Sequence, residues 1–321
     1  MIIVERPVTI AIVTFNSAQQ IADCVRMFVD RGPRVRVRVR DNGSTDSTPA
    51  ILRRLAAEGQ VDDLVLAPDD PGFAVAANDL IGRAGDDDVL LVDPDSRISL
   101  EAVEVLCDAI AQDPRLGLVG PVIRGGDHIR VMSAGRQPRL WPMLTHYTGL
   151  SRVLPGVALL QGRHLFLKQH SRRDQLVEWT SGCCLLIPRS TIERVGLLSE
   201  RWFMYVEDTE YCKRVSDAGL RIKVLAAACA FHQVGGSGAP PESLVATTDS
   251  VGDPVIDVSD MWGRNLYDYY VHEFHPGSVT RLAWRLTFTA GNGVRALAYR
   301  KTPGGRVKSD HLMKNALAVW R

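Results

Sequence analysis

From Val8 to Ala111 the apolar positions keep switching between two patterns: short β-branched runs, and longer stretches with apolar residues three and four apart. Val8 to Phe15 is a strand run that ends in Thr14, Phe15, Asn16 and Ser17, residues able to cap the helix predicted by Ile21, Cys24, Val25 and Phe28. Val35, Val37 and Val39 then alternate with Arg34, Arg36, Arg38 and Arg40 as a period-2 strand. Its arginine face reads as solvated or ion-paired rather than as a phosphate patch. The strand runs into Asp41-Asn42-Gly43-Ser44-Thr45-Asp46, where Asn42-Gly43 predicts a tight turn and Ser44, Thr45 or Asp46 the start of a helix through about Leu55.

Leu64 to Leu66 is a short third strand, followed by Asp69, Asp70, Pro71 and Gly72 and by the small residues up to Asn78. Small residues ahead of a helix let a ligand approach the backbone, and they also permit tight helix packing. A fourth strand, Val89 to Val92, delivers Asp93 and Asp95 on a turn enforced by Pro94. Two readings are open there: a solvated turn capping the next helix through Ser96 or Ser99, or oxygen ligands for a hard cation such as Mg2+ or Mn2+. Leu100 to Ala111 is an amphipathic helix. Strands alternating with helices predict an α/β fold with a mostly parallel, doubly wound sheet, whose ligand sites lie at the strand carboxyl ends.

Between 124 and 178 the periodicity fades into loops with short elements, a candidate acceptor-facing region. Order returns with Trp179-Thr180-Ser181-Gly182-Cys183-Cys184 and the apolar run after it. Glu207 and Asp208 lead a helix from Thr209 to Ala218 that Gly219 ends. Acids at a helix start complement its dipole, and one of them could instead be a general base. Ile222 to Phe231 is another strand, ending in His232-Gln233-Val234-Gly235-Gly236-Ser237. His232 is structural there, or a third metal ligand or diphosphate contact. Near the end, Val279, Leu282, Ala283, Leu286 and Ala290 recur at helical spacing, with Trp284 and Phe288 widening the apolar side and Arg281 and Arg285 interleaved. That helix either lies in a membrane interface or packs its stripe on protein.

With 321 residues, 45% of them hydrophobic and 23% charged, the chain can bury a large core. No run reaches the roughly 18 apolar residues of a spanning helix, and Val8 to Phe15 is too short for a signal peptide, which leads us to expect a cytoplasmic protein. The six cysteines show no C-x-x-C pair and read as reduced, mostly core residues. The net charge of +1 hides an asymmetry: Pro276 to Arg321 holds nine Lys or Arg and one acid, +8, which leaves 1 − 8 = −7 for the rest. A basic tail without any zinc-finger, RRM or basic-zipper signature favours an anionic lipid surface over nucleic acid. No G-x-G-x-x-G follows the first strand, which argues against a dinucleotide oxidoreductase.

Seven pieces in this order, TFNS (Thr14 to Ser17), DNGSTD (Asp41 to Asp46), GFAVAAN (Gly72 to Asn78), DPD (Asp93 to Asp95), WTSG (Trp179 to Gly182), FMYVED (Phe203 to Asp208) and the HQVGGS loop, resemble the family 2 glycosyltransferases of GT-A fold, in particular their bacterial rhamnosyltransferase-like branch. The resemblance implies a GT-A domain over residues 1–240, with 124–178 facing the acceptor, and a basic helical region over 255–321. It implies inverting transfer of a hexose from a nucleotide-sugar donor, with dTDP-β-L-rhamnose favoured, to a glycan or polyprenyl-diphosphate-linked glycan in cell-wall or surface polysaccharide synthesis. Carried over, Thr14, Asn16 and Asp41 hold the nucleoside, Gly72 and Asn78 line the diphosphate and sugar, and Asp93 with Asp95 holds ribose and metal. His232 joins the metal, Mg2+ or Mn2+; Trp179, Ser181 and Gly182 face the acceptor; Asp208 is the base, supported by Glu207.

Two departures stand out: Asp69-Asp70 where relatives often have asparagine before the glycine, and Leu198-Ser199 in place of a Phe-Asp pair. Alternatives remain: a UDP-sugar donor on the same fold, or a non-catalytic nucleotide-binding protein with a basic surface-binding tail. Retention of Asp93, Asp95 and Asp208 together weighs against the second. The expected setting is the cytoplasm, peripheral on the inner face of the membrane, with an oligomer left open.

Overall fold

Every residue of β1 (Val8–Thr14) except Val13 is buried, so both faces of this strand are covered and the sheet it belongs to must be sandwiched. The computed structural model describes residues 5–125, 132–233, 245–246, 256–257, 260–302 and 305–321. The chain continues through α1 (Ile21–Arg26), β2 (Val35–Asn42), α2 (Thr48–Ala57), β3 (Asp63–Ala67), α3 (Phe73–Arg83), β4 (Asp88–Val92), β5 (Ser96–Ile98), α4 (Leu100–Gln112) and β6 (Leu116–Arg124). Then come β7 (Ala134–Gly135), α5 (Leu140–Thr148), α6 (Leu150–Val153), α7 (Leu167–His170), β8 (Gln175–Val177), β9 (Trp179–Thr180), β10 (Cys184–Ile187), α8 (Arg189–Val195), α9 (Glu207–Asp217) and β11 (Arg221–His232). Three helices follow: α10 (Met261–Phe274), α11 (Ser278–Arg300) and α12 (Gly305–Ala318).

The described residues fall into two units. Those within Met1–Ala134, Phe166–Phe203 and Glu207–Gly238 form the first, and those within Gly135–Leu165, Met204–Val206 and Ala239–Arg321 the second. The stretch 124–178, read from the sequence as one region, is thus divided, with 135–165 grouped with the C-terminal helices.

The main sheet of the first unit runs β3-β2-β1-β4-β10-β6-β11-β5, with β8 also on β11. β3, β2, β1 and β4 pair in parallel, as do β6 and β11, whereas β10 is antiparallel to both β4 and β6. The doubly wound, mostly parallel sheet expected from the sequence is therefore present, with β10, β5 and β8 as antiparallel members. Side-chain alternation splits the core: Val8, Ile10, Ile12, Leu90 and Leu186 face one cluster with α1, α2 and α4, while Ala11, Val89, Leu91 and Leu185 face another with α3, α8 and α9. Each fully buried Ile or Leu is worth about 1.5–3 kcal/mol relative to exposure, so the two layers fix the register of every central strand.

The arginines of β2 behave as surface ion pairs: Arg38 meets Asp63 at 2.8 Å and Arg40 meets Asp79 at 2.8 Å. One capping expectation is corrected. The side chain of Ser17 does not cap α1; its hydroxyl donates to the Phe15 carbonyl, and its own carbonyl accepts from Ile21 N. Ser99 does cap α4, accepting from Ala102 N at 3.2 Å. The helix expected from Thr209 begins at Glu207, which draws both acids into its first turn. Of the HQVGGS stretch, residues 234–237 lie outside the described residues.

In the second unit α11 packs against α5 and α12. Trp284 and Phe288 are its anchors, fully buried, with ring centroids 5.1 Å apart and Tyr270 stacked on Trp284 at 5.2 Å. The buried indole N–H of Trp284 is satisfied by the Pro138 carbonyl at 2.7 Å. None of the six cysteines forms a disulfide, and Cys24, Cys183, Cys184 and Cys212 are buried.

Candidate active site

The parallel strands of the first unit deliver their polar residues at one end of the sheet, where the apolar alternation stops. Thr14 and Asp41 are direct partners in the β1–β2 register, and both are 1% exposed. Thr14 Oγ1 is buried with no hydrogen-bond partner among the described residues. Asp41 accepts from Ser44, through Oγ at 2.5 Å and the backbone N–H at 3.0 Å, and burial raises its pKa. Asn16, in the left-handed region at φ 46°, donates its N–H to Ser44 Oγ and accepts from Thr45 N on its side-chain oxygen. These contacts bind the TFNS and DNGSTD loops into one structure, with Ser44 as a linchpin that the sequence did not single out.

The next loop is tied to the same place. Asp70 Oδ1 accepts from Asn42 Nδ2 at 2.9 Å and from Gly72 N at 3.0 Å, and burial raises its pKa. Gly72 has φ 95°, and a Cβ there would meet the backbone of Phe203, whose carbonyl accepts from Phe73 N at 2.9 Å. The glycine is therefore required by the close approach of the FMYVED segment. Asn78 is spent on structure: its Nδ2 donates to the Leu198 carbonyl and Glu200 Oε1, and its Oδ1 accepts from Leu198 N, each at 2.9 Å.

β4 ends at Val92, and the turn Asp93-Pro94-Asp95 closes with Ser96 N donating to the Asp93 carbonyl at 2.9 Å. β5 then pairs antiparallel with the last residues of β11, His232 opposite Ser96. That register brings His232 Nε2 within 3.1 Å of Asp95 Oδ1 and 3.8 Å of Asp93 Oδ2. One ligand atom from each of the three lies within 4.8 Å of the others. Burial pushes the Asp93 carboxyl up to about 6, with Asp95 and Asp208 adding to the rise and His232 opposing it. For His232 burial works against the proton, yet the hydrogen bond to Asp95, the Cys183 thiol and the charge of Asp93 outweigh it and push the imidazole up to about 11. Two carboxylates and an imidazole at this spacing fit a divalent cation that takes oxygen and nitrogen ligands, such as Mn2+ or Mg2+, which would displace the proton that the imidazole otherwise holds.

β10 runs antiparallel, so its first residue, Cys184, lies opposite Val92, the last of β4. The WTSG turn is thereby placed next to the two aspartates: the Cys183 carbonyl accepts from Asp93 N at 3.0 Å. Gly182 N donates to Asp208 Oδ2 at 3.0 Å, and Asp208 Oδ1 accepts from Thr209 N and Oγ1. Ser181 accepts from Cys183 N, and Trp179 is buried in the second core cluster. Glu207 is buried, and its Oε2 has no hydrogen-bond partner among the described residues. Burial and the adjacent Asp208 raise its pKa. Just before α9, Tyr205 and Val206 have φ of 69° and 81°, a conformation that costs a β-branched residue dearly and marks a constrained backbone.

Cys183 and Ser44, then, are the members of this cluster that the sequence did not reveal as such. Their part is played by a carbonyl, a thiol contact and a bridging hydroxyl, none of which has a spacing signature.

Comparisons with known proteins place the fold in a family. Residues 9–176 match the family model for glycosyl transferase family 2. The chain is 32% identical over 226 residues to the N-acetylglucosaminyl-diphospho-decaprenol L-rhamnosyltransferase of Mycobacterium tuberculosis, covering 66% of this chain and 71% of that protein. It is 28% identical over 144 residues to the low-salt glycan biosynthesis hexosyltransferase Agl10 of Haloferax volcanii, 45% of this chain and 41% of that one. Among solved structures it resembles the mannosyltransferase PcManGT of Pyrobaculum calidifontis, in complex with GDP-Man and Mn2+, with TM-score 0.60 and 16% identity over 98% of this chain and 87% of that one. It also resembles GalNAc-T7 with UDP, GalNAc and Mn2+, with TM-score 0.52 and 13% identity over 71% and 44%. These two likenesses show a shared GT-A fold. With its GT-A sheet and the matching family model, the chain belongs to glycosyl transferase family 2.

Proposed function

We propose that this glycosyltransferase moves L-rhamnose from dTDP-β-L-rhamnose, with inversion, to a hydroxyl of a polyprenyl-diphosphate-linked sugar. The observation that carries the reading is the convergence of Asp93, Asp95, His232 and Asp208 around the single turn Gly182-Cys183. The similarity to a rhamnosyltransferase whose name specifies a diphospho-decaprenol acceptor supports the substrate class. The reaction builds surface or cell-wall polysaccharide at the inner face of the membrane.

Thr14, Asn16 and Asp41 hold the nucleoside, and the loop through Gly72 lines the diphosphate and sugar. A divalent cation held by Asp93, Asp95 and His232 would neutralise the charge that develops on the departing diphosphate. Asp208 takes the proton from the acceptor hydroxyl as that oxygen bonds to the anomeric carbon and the bond to the diphosphate oxygen breaks. Glu207, whose burial favours the neutral form, keeps the negative charge of the pair on Asp208. Trp179, Ser181 and Gly182 shape the acceptor side.

Calorimetric titration with dTDP, UDP and GDP, with and without Mn2+, beside an Asp95→Ala variant tests this. The proposal expects metal-dependent preference for dTDP that the variant loses. Preference for UDP would keep the mechanism and change the sugar, and no binding of any nucleotide would sink the site assignment.

A further inference from the structure

The structure separates two apolar faces on α11 that the sequence merges. Trp284, Phe288 and Ala296 are buried within the second unit, whereas Val279 (83% exposed), Leu282 (51%), Leu286 (54%), Val294 (68%) and Leu297 (62%) face outward. At about 100° per residue these five fall within an arc of roughly 120°, a continuous stripe along the helix. Folding does not require it, since the buried face already anchors the helix.

What surrounds the stripe indicates its partner. α11 contains no acidic residue, and Arg300 in its last turn and Lys301 just after it are exposed at the stripe's C-terminal end, Arg300 also pairing with Asp310 of α12 at 3.7 Å. Trp320, partly exposed, lies along the stripe's edge, its indole N–H donating to Thr289 Oγ1 at 2.8 Å and its ring under the Arg285 guanidinium at 5.5 Å. α12 exposes Val307 and Leu317 together with Arg306 and Lys314. An apolar stripe bordered by an indole and by cations matches the boundary between phospholipid headgroups and acyl chains. A second copy of the same face would bring two strongly positive surfaces together, which repels them.

We propose that the outward stripe of α11, edged by Trp320 and the C-terminal cations, docks onto an anionic phospholipid bilayer. This deepens the membrane reading above by assigning it a face, and it is independent of which sugar is transferred. No helix among the described residues is long and apolar enough to cross a membrane.

The test uses the full chain with vesicles of phosphatidylglycerol and phosphatidylcholine, and with phosphatidylcholine alone. The wild type binds the anionic vesicles, and rising salt weakens that binding. A Leu282→Ser/Leu286→Ser/Val294→Ser variant loses at least about tenfold in vesicle affinity, while its unfolding midpoint and nucleotide binding stay unchanged. Val279→Glu, at the most exposed of these positions, is the second variant and loses affinity in the same way. Wild-type protein that ignores the vesicles, or variants that bind like the wild type, would overturn the proposal. So would a concentration-dependent dimer that the substitutions abolish without any change in lipid binding. Nucleotide titration on the same preparations separates this failure from a failure of the glycosyltransfer site.

Discussion

Asp208 Oδ2 is held by the backbone N–H of Gly182 at 3.0 Å, and the carbonyl of the very next residue, Cys183, accepts from Asp93 N at 3.0 Å. One short turn thus fixes the carboxylate proposed to deprotonate the acceptor relative to the carboxylates proposed to hold the leaving group. The antiparallel direction of β10 makes this geometry available, because a parallel strand would begin at the opposite end of the sheet.

Asp208→Asn should therefore be selective. The amide oxygen still accepts from Gly182 and keeps the turn, at the cost of the contact from Thr209 N to the other oxygen, and no proton can be taken from the acceptor. The expected result is a fall in kcat of about 10²–10⁴-fold with nucleotide affinity within about twofold of wild type. Initial rates beside calorimetry check it, and a loss of less than tenfold would remove Asp208 from the role of base.

Glu207→Gln makes the opposite prediction. A carboxyl kept neutral by burial is closely mimicked by an amide, so the variant should keep kcat within about tenfold of wild type across the neutral range. A loss as deep as that of Asp208→Asn would mean that Glu207 carries charge in the reaction.

His232→Ala and Asp95→Ala should each weaken Mn2+ binding, since each removes one of three ligand atoms grouped within 4.8 Å. A loss of about tenfold or more is expected in a titration with the metal alone, and excess Mn2+ should restore part of the nucleotide binding. Unchanged metal affinity in both variants would place the cation elsewhere.

The sequence reached this site unevenly. Strand ends were legible because β-branched runs stop at Thr14, Asp41 and Asp93, and these residues do stand at the end of parallel strands. His232 was legible as a residue at a strand end, but its partnership with Asp95 depends on the β5–β11 register, a contact between segments more than a hundred residues apart. Asn78 sits inside a recognisable motif, yet its amide is used up on Leu198 and Glu200, which no local pattern foretells. The two-faced character of α11 was hidden for a related reason. Periodicity reports apolar positions, and only the packing of Trp284 and Phe288 reveals which of them the fold consumes.

Gly72→Ala tests the seam between the GFAVAAN and FMYVED segments. A Cβ at φ 95° is strained by about 1–3 kcal/mol before any contact is considered, and here it meets the backbone of Phe203. The unfolding midpoint should fall by roughly 5 °C, with nucleotide binding weakened because Phe73 N loses its partner geometry. A variant as stable as wild type would contradict the close approach.

His146 gives the second unit a pH signature. Burial, reinforced by the guanidinium groups of Arg295 and Arg163, pulls its imidazole down to about 3, and its Nε2 lies 2.5 Å from Arg295. In the unfolded chain the same side chain binds a proton below about 6.5, so the unfolded state takes up more protons as pH falls and native stability must decline from there downward. The slope for this one group approaches about 1.4 kcal/mol per pH unit, or about 2 kcal/mol between pH 6.5 and 5. His146→Gln removes the titration, so in denaturant unfolding at pH 7.5, 6.5, 5.5 and 5.0 the variant should lose less stability than wild type by that amount. Parallel pH profiles for the two proteins would show that His146 is not held neutral by its neighbours.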